Sequence, residues 1–293
     1  MDASEELFVT LPNRVRLCYQ TFGDPSHPGV VLIPGHSGSM LAWPEDMIRL
    51  FSPPSQPHFI IRFDPRDTGL STEFPVPANY TLSDMVDDVE GLIDHLDLSS
   101  RGFHLFGASL GGTIAYNVAA RRPQQVKSLT MALSTPGHSE ELPLKEGIDT
   151  GMPPMGFETN LRQAYIDYYM RWYDGHALRP DETERKGELQ RAGQITDREM
   201  RAGTLFSKGL NHGAAAYGPR PSVEILKDLR CAATVLQAGH DQWFSEDHGK
   251  TLANAVQGAE YVLWDDIGHE LPERIWPRLA ELLLQTWKRG ETA

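Results

Sequence analysis

A serine, an aspartate and a histidine occur along the chain in an order that could build a nucleophilic site. Ser109 lies in residues 107–111, Gly-Ala-Ser-Leu-Gly, between an apolar run and a stretch that predicts a helix. A strand that turns sharply into a helix lifts such a serine above the sheet edge on strained backbone angles. Gly107 and Gly111 suit that turn, since side chains there would collide with the neighbouring strand and helix. A chain with 26 glycines can contain this motif by chance. The prediction of a nucleophile therefore depends on two partner residues further along the chain.

Those partners are Asp241 and His269. A serine hydroxyl becomes a nucleophile when a histidine takes its proton and a carboxylate orients that histidine. Asp241 follows a predicted strand at residues 233–237, and His269 follows another at 261–264. The carboxyl ends of parallel strands meet at one sheet edge. We therefore predict that Ser109 is the nucleophile, His269 the general base and Asp241 the carboxylate that orients it.

Other acidic and histidine residues compete for these roles. Asp265 and Asp266 stay as alternative carboxylates, although both are very close to His269 in sequence. His240 lies near Asp241 but does not follow the last strand, so we interpret it as a surface or supporting residue. His248 is interpreted in the same way. Four further histidines are interpreted as structural or pocket-lining rather than as bases: His36, His138, His176 and His212. The others have no motif context: His27, His58, His95 and His104.

An oxyanion formed by attack of the serine needs two N–H donors. The backbone N–H of Leu110, just past the serine, lies at the start of the predicted helix and can supply one. The second is predicted to come from the glycine-rich loop at residues 34–39, and we assign it to the backbone N–H of His36. In the alternative interpretation this loop is a tight turn, and the His36 side chain lines the pocket.

Strands alternating with helices predict the architecture that positions these residues. Four apolar runs predict strands, at residues 29–33, 59–63, 103–107 and 126–133. The run at 29–33 is apolar without interruption, which is typical of a strand buried on both faces. Two short alternating runs, at residues 7–9 and 15–20, predict a hairpin or two edge strands. Helices are predicted at residues 43–51, 82–96, 113–121, 245–255 and 272–287. We expect a mostly parallel eight-stranded sheet with helices on both faces.

The alternation stops after the fourth apolar run and resumes only near the C-terminal strands. Helical spacing without a buried strand pattern is found in the intervening segment, at residues 161–173, 181–190 and 197–208. We predict a helical cap over residues 134–221, inserted into a core domain formed by residues 1–133 and 222–293. A separate helical domain or extra cover for the sheet is the alternative.

Aromatic residues in the cap and near the catalytic loops favour an apolar or aromatic substrate. The candidate substrate-binding residues are Trp43, Phe157, Tyr165, Trp172, Tyr217 and Trp243. For any one of them, packing of the cap against the core is the competing interpretation.

Hydrophobic residues at 40% and charged residues at 23% are typical of an ordinary soluble globular protein. The net charge of −13, from 27 basic and 40 acidic residues, argues against nucleic acid or an anionic membrane as partner. Cys18 and Cys231 lie far apart without the spacing of a zinc site or a disulfide framework. The acidic N-terminus lacks the apolar core of a signal peptide, and no apolar run is long enough to span a membrane. We expect a cytoplasmic monomer or homodimer without a metal site.

Several motifs resemble those of one family. Residues 107–111 are similar to the nucleophile elbow of the α/β-hydrolases, and residues 64–71, Asp-Pro-Arg-Asp-Thr-Gly-Leu-Ser, resemble that family's Asp-x-Arg-Gly-x-Gly-x-Ser loop. Asp67 departs from the commonest glycine, and the resulting Arg-Asp-Thr-Gly is similar to the aclacinomycin methylesterase subgroup. Residues 41–45 and 237–241 resemble that subgroup as well. The resemblance covers nearly the whole chain.

This resemblance implies a cofactor-free serine hydrolase of carboxylic esters that forms an acyl-enzyme on Ser109. The implied substrate is a methyl ester of a bulky aromatic or polyketide-like compound, as in secondary metabolism. A lyase, an acyltransferase, a perhydrolase or a carbon–carbon bond hydrolase could keep the same three residues. A ligand-binding protein on the same scaffold is a further alternative.

Overall fold

The structure, a computed structural model, describes residues 1–137, 139–145, 147, 154, 159–203, 208–217 and 223–292. The strands are β1 (Leu7–Thr10), β2 (Arg16–Phe22), β3 (Gly29–Ile33), β4 (Phe59–Phe63), β5 (Phe103–Ala108), β6 (Val126–Ala132), β7 (Ala232–Ala238) and β8 (Glu260–Trp264). The α-helices are α1 (Glu45–Phe51), α2 (Leu82–His95), α3 (Leu110–Arg121), α4 (Leu161–His176), α5 (Glu182–Ala202), α6 (Lys208–Tyr217), α7 (Glu246–Ala255) and α8 (Trp276–Thr292).

These strands form one eight-stranded sheet in the order β1-β2-β4-β3-β5-β6-β7-β8. Strand β2 pairs antiparallel with both β1 and β4. The pairs from β4 through β3, β5, β6 and β7 to β8 are all parallel. The predicted mostly parallel eight-stranded sheet is therefore confirmed.

Side chains of the central strands alternate between two apolar clusters, one on each face of the sheet. Along β3, Val31 and Ile33 join one cluster, whereas Val30 and Leu32 join the other. Helices α2, α3 and α7 cover the first cluster, and α1 and α8 cover the second. This burial on both sides explains the apolar runs in the sequence and confirms the helices predicted on both faces.

Several predicted helices have different bounds in the structure, and the differences at α1 and α5 have a local cause. The first starts at Glu45 rather than at Trp43, because the residue before a proline is disfavoured in helical geometry and Pro44 itself is extended, with ψ 149°. The stretches predicted as separate helices at residues 181–190 and 197–208 lie largely within α5. Asp181 caps its N-terminus, and Gly203 ends it with a positive φ of 79°.

Between β6 and β7, the described residues form the helices α4, α5 and α6 without a strand. Helices α4 and α5 share a small apolar cluster that includes Ile166, Met170 and Ala192. The boundaries of the predicted cap stay a prediction. None of the described helices combines the length and apolar character that a bilayer span requires.

Close backbone packing at two glycines holds the β5–α3 turn against its neighbours. A Cβ added to Gly111 would lie 2.1 Å from the carbonyl oxygen of Ile33, at the end of β3. A Cβ added to Gly107 would lie 2.1 Å from the carbonyl oxygen of Gly111. Both collisions are with backbone atoms, so side-chain rearrangement cannot relieve them. The packing of helix α3 against β3 and β5 thus requires glycine at both positions.

We expect the substitution Gly111→Ala to lower the free energy of unfolding by about 1–3 kcal/mol or more, because the new methyl group overpacks the turn. Urea denaturation followed by circular dichroism measures this change. Gly187→Ala is the matched control, because Gly187 is exposed on α5 and an added Cβ would lie 3.7 Å from its nearest neighbour, the Glu273 Oε2. This substitution should raise the free energy of unfolding by roughly 0.5–1 kcal/mol. Equal stability of Gly111→Ala and the wild type would contradict the packing argument.

Candidate active site

Ser109 occupies the single residue between β5 and α3 and has unusual backbone angles, φ 53° and ψ −122°. Its N–H donates to the carbonyl of Ala132 at 2.8 Å, and its carbonyl accepts the hydroxyl hydrogen of Ser134 at 2.8 Å. Strain of this kind persists where surrounding structure over-determines it, as these hydrogen bonds do here. The strained turn predicted from the sequence is confirmed.

The structure brings Ser109, His269 and Asp241 into one hydrogen-bonded row. The Ser109 Oγ and the His269 Nε2 are 3.0 Å apart, and the His269 Nδ1 is 2.9 Å from the Asp241 Oδ2. The other carboxylate oxygen of Asp241 accepts the backbone N–H groups of Trp243 and Phe244 at 2.8 and 2.9 Å. The carboxylate is thus oriented by the loop after β7, and it in turn orients the imidazole.

Electrostatics within this row favour an imidazole that can take up a proton. Burial lowers the pKa of His269, but the charge and hydrogen bond of Asp241 outweigh it, so the pKa is raised above its ordinary value. Burial raises the pKa of Asp241. The charge and hydrogen bond of His269 and the two backbone N–H donors lower it by more, so the pKa lies below its ordinary value. The arrangement therefore provides a basic imidazole beside a hydroxyl and an ionised carboxylate behind it.

The alternative carboxylates are placed differently. Asp265 and Asp266 are exposed, and Asp266 accepts hydrogen bonds from Arg278 at 2.7 and 3.0 Å. Within the described residues, the carboxylate hydrogen-bonded to His269 is that of Asp241.

The loop after β3 packs directly against the serine. A Cβ added to Gly35 would lie 3.2 Å from the Ser109 Cβ, which puts the neighbouring His36 beside the nucleophile. Leu110 is the first residue of α3, where backbone N–H groups have no acceptor within the helix. Leu110 directly follows the serine, and His36 follows a residue that packs against it. The role of both N–H groups toward an oxyanion stays a prediction.

His212, on α6, connects this loop to the loop after β4. The N–H of Ser37 donates to the His212 Nδ1 at 3.0 Å, and the His212 Nε2 lies 2.7 Å from the carbonyl oxygen of Arg66. Because Nδ1 accepts, Nε2 carries the hydrogen and donates it to the Arg66 carbonyl. Ser37 has a positive φ of 59°, so the hydrogen bond that its N–H donates to His212 supports a strained position next to His36.

Three aromatic side chains, Trp172, His176 and Trp243, form a ring array beside His269. The rings of Trp172 and His176 stack with centroids 3.9 Å apart, and the Trp243 Nε1–H donates to the His176 Nε2 at 2.8 Å. The His176 ring meets that of His269 edge-on, with centroids 6.3 Å apart. The array joins helix α4 to the loop that carries Asp241.

The proton on His176 is assigned by its partners. Its Nδ1 lies 2.7 Å from the Trp172 carbonyl oxygen and its Nε2 accepts from Trp243, so Nδ1 carries the hydrogen. Burial lowers the pKa of His176 to about 4. At neutral pH the ring array is therefore uncharged.

Glu270 places a titratable carboxyl group against the ring array. It accepts the Nε1–H of Trp172 at 3.0 Å. Burial, together with the nearby charge of Glu188, raises its pKa to about 7. The residue that directly follows His269 thus changes charge in the same pH range as an imidazole.

The other predicted substrate contacts are dispersed. Trp43 is only 2% exposed and packs on Phe106 with ring centroids 5.0 Å apart, which favours core packing. Tyr165 is buried, and its hydroxyl donates to the Pro154 carbonyl at 2.9 Å. Phe157 and the side chain of Tyr217 lie outside the described residues.

Three residues that shape this site have no specific role predicted from the sequence, which indicates only that His176 and His212 are structural or pocket-lining. His176 follows Trp172 by four positions, so helical periodicity could have placed both on one face of α4. Gln242, whose Oε1 accepts the backbone N–H of His269 at 2.9 Å, is marked only by its position next to Asp241. His212 carries no local signal, because its partners come from two distant loops.

Comparisons with known proteins agree with this architecture. A family model for the alpha/beta hydrolase fold matches residues 28–162. Two rhodomycin D methylesterases, from Streptomyces sp. (strain C5) and Streptomyces peucetius, are each 27% identical over 291 residues, covering 92% of this chain and 93% of each relative. The solved structure of an esterase from Rhodococcus sp. ECU1013 matches with a TM-score of 0.75 and 14% identity, over 98% of this chain and 99% of that one. The resemblance stated from the motifs is confirmed.

We expect Asp241→Asn to lower the pKa of His269, because the amide keeps a similar shape but removes the negative charge that outweighs burial. A titration of the histidine imidazole signals by NMR measures the shift. Asp265→Asn, which neutralises an exposed carboxylate in the next loop, should leave that pKa unchanged. An unaltered His269 titration in Asp241→Asn would show that the carboxylate does not control the imidazole.

Proposed function

Because the chain has the α/β-hydrolase fold, we propose that it hydrolyses a carboxylic ester through an acyl-enzyme on Ser109. One observation carries the proposal: the 3.0 Å contact of the Ser109 Oγ with the His269 Nε2, continued at 2.9 Å to Asp241. This is the order of nucleophile, base and orienting carboxylate that acyl transfer needs. The methylesterase relatives support an ester as substrate.

Acylation starts with neutral His269, whose Nδ1–H donates to Asp241. The free lone pair on Nε2 takes the proton of the Ser109 hydroxyl while its oxygen attacks the ester carbonyl carbon. The carbonyl π electrons move to oxygen, which becomes the oxyanion of a tetrahedral intermediate. When this intermediate collapses, the bond to the alcohol oxygen breaks and the imidazolium returns its proton to the leaving alcohol.

Deacylation repeats these steps with water in place of the serine. His269 takes a proton from water, the resulting hydroxide attacks the acyl carbon, and Ser109 leaves with the proton that the imidazolium returns. During both steps Asp241 stabilises the imidazolium, and its lowered pKa keeps it ionised. We assign the backbone N–H groups of His36 and Leu110 to the oxyanion in both intermediates.

The substrate proposed is a methyl ester of a bulky aromatic or polyketide-like compound. Trp172 and Trp243 stack on each other, and His176 of the same array meets the ring of His269. The flat surfaces of the two tryptophans suit an aromatic ligand. We also propose that residues 134–221 act as the cap of this site. A Cβ added to Gly268 would lie 2.2 Å from the carbonyl oxygen of His176, so helix α4 contacts the loop of the proposed base.

We expect Ser109→Ala to reduce kcat/KM for ester hydrolysis by a factor on the order of 10⁴–10⁶, because the nucleophile is removed while the fold and pocket remain. Release of acid from a panel of aryl and methyl esters measures the loss. Ligand binding, followed by tryptophan fluorescence, should be retained. Ser55→Ala, an exposed position, is the control and should behave as the wild type.

Undiminished turnover by Ser109→Ala would refute this mechanism and favour a scaffold with another role. A fluorophosphonate probe adds a second readout, since it should label the wild type once and leave Ser109→Ala unlabelled. A folded wild-type protein that resists the probe would count against an activated serine.

The pH dependence should show a loss of kcat/KM on the acid side. Protonated His269 cannot accept the serine proton, and Asp241 raises its pKa, so the midpoint should lie above the ordinary histidine value of about 6.5. Glu270, with a pKa of about 7, titrates in the same range as His269. The acid limb of the kcat/KM profile therefore reports two coupled groups. Glu270→Gln should move the limb to lower pH, because its charge also raises the pKa of His269.

Steady-state kinetics in buffers of constant ionic strength measure these profiles. Glu273→Gln removes an exposed carboxylate from the same segment and should leave the limb in place. A wild-type profile that stays flat through the acid range would exclude His269 as the base.

A further inference from the structure

Two histidines and a glutamate converge at the end of the sheet opposite Ser109. They are His58, just before β4, His104, at the start of β5, and Glu291, in the last turn of α8. Both imidazole Nε2 atoms lie 3.7 Å from the Glu291 Oε1, and the three candidate ligand atoms lie within 4.8 Å of one another. The sequence analysis gave His58 and His104 no motif context, because the three residues belong to distant segments.

The outer nitrogens of the two imidazoles are already engaged. The His58 Nδ1 lies 3.0 Å from the Gln56 carbonyl oxygen, so it carries the hydrogen and leaves a lone pair on Nε2. The His104 Nδ1 is 2.7 Å from the Ser128 hydroxyl oxygen. Metal-binding histidines usually have their second ring nitrogen hydrogen-bonded in this way, which orients the ring and sets the tautomer.

The inner nitrogens face the Glu291 carboxylate at 3.7 Å, which is too long for a hydrogen bond. Both histidines are 0% exposed, and neither Nε2 has a hydrogen-bond partner among the residues that the structure describes. Trp287 closes one side, with its ring 4.6 Å from that of His58 and 5.9 Å from that of His104. A buried nitrogen without a partner is costly, and a cation bound at both would satisfy them together.

We propose that His58, His104 and Glu291 bind a divalent transition metal ion of the zinc class. Two imidazole nitrogens and one carboxylate oxygen are ligands that this class accepts, and water would fill the fourth tetrahedral position. Ligand atoms around such an ion lie roughly 3.3–3.5 Å apart, given bonds of about 2.0–2.1 Å. The glutamate is partly exposed, with 29% of its side chain accessible, so a small side-chain movement can shorten its contacts.

Two charged groups lie close to the two imidazoles. The Glu291 carboxylate approaches both of them and would attract a cation. The ammonium group of Lys127, which lies near His104 and Glu291, opposes it.

The ion would join three segments that are distant in the chain. Gly290, where an added Cβ would lie 2.3 Å from the Lys127 carbonyl oxygen, lets the last turn of α8 approach β6 and brings Glu291 to the histidines. His104 and Ser109 lie at opposite ends of β5, about 16 Å apart at the rise of an extended strand. The proposed ion thus stabilises the C-terminal helix and takes no part in ester hydrolysis.

Cobalt(II) titration of the full chain tests this proposal, because tetrahedral Co²⁺ absorbs visible light. We expect one equivalent of Co²⁺ per chain to give the full absorption. Zn²⁺ should displace the Co²⁺ and raise the Tm of the protein. Glu291→Gln should weaken binding at least roughly tenfold, and His58→Gln should abolish the absorption. Glu281→Gln, an exposed position on the same helix, is the control and should bind as the wild type.

The proposal is overturned if the wild type shows no stoichiometric binding, or if binding is unchanged in both Glu291→Gln and His58→Gln. Glu291→Gln removes a partly exposed carboxylate near the chain end, so its folding can be verified independently by circular dichroism. Ester hydrolysis should be the same with and without Zn²⁺, which keeps this test separate from that of the proposed function.

Discussion

The turn at Ser109 is the constraint on which the rest of the candidate site depends. Its positive φ of 53° costs roughly 1–3 kcal/mol, and the surrounding parallel strands offset this cost. β6 holds the Ser109 N–H through the carbonyl of Ala132, while Gly107 and Gly111 let α3 approach β3 and β5 at backbone contact. The sheet thus holds the Ser109 hydroxyl at one fixed position, and the proposed base, His269, must reach it.

The loops after β7 and β8 meet this requirement together. Asp241 is held by two backbone N–H groups of its own loop, and Gln242 in the same loop accepts the backbone N–H of His269. The carboxylate and the base are therefore positioned by one short segment. The proposed cap shares this contact region, since the His176 carbonyl packs on Gly268. A ligand that moves α4 would act on the segment that holds the base.

Local patterns were sufficient to predict most of the core and the three central residues. Val30 to Ile33 are apolar without interruption because both faces of β3 are covered, and this pattern is visible in the sequence. Asp241 and His269 are predictable because each follows a strand in the required order. The sequence predicts two helices where the structure has one, α5, because this polar segment has little apolar periodicity and its caps lie only at Asp181 and Gly203.

Long-range packing accounts for what the sequence did not predict. The hydrogen bond between Trp243 and His176 joins residues 67 positions apart, and no local spacing encodes it. The cluster of His58, His104 and Glu291 likewise forms only when β4, β5 and α8 assemble. Core packing of Trp43 on Phe106 has the same origin, because an aromatic residue near a catalytic loop can face either the core or the pocket.

Mass spectrometry of the intact protein during turnover of a slowly deacylating nitrophenyl ester tests the central claim most directly. The account predicts a burst of about one nitrophenol per chain and a mass increase equal to the acyl group. Proteolysis should assign that increase to the peptide with Ser109, and it should be absent from Ser109→Ala. Steady turnover without an adduct, or an adduct that persists on another residue in Ser109→Ala, would contradict an acyl-enzyme on this serine.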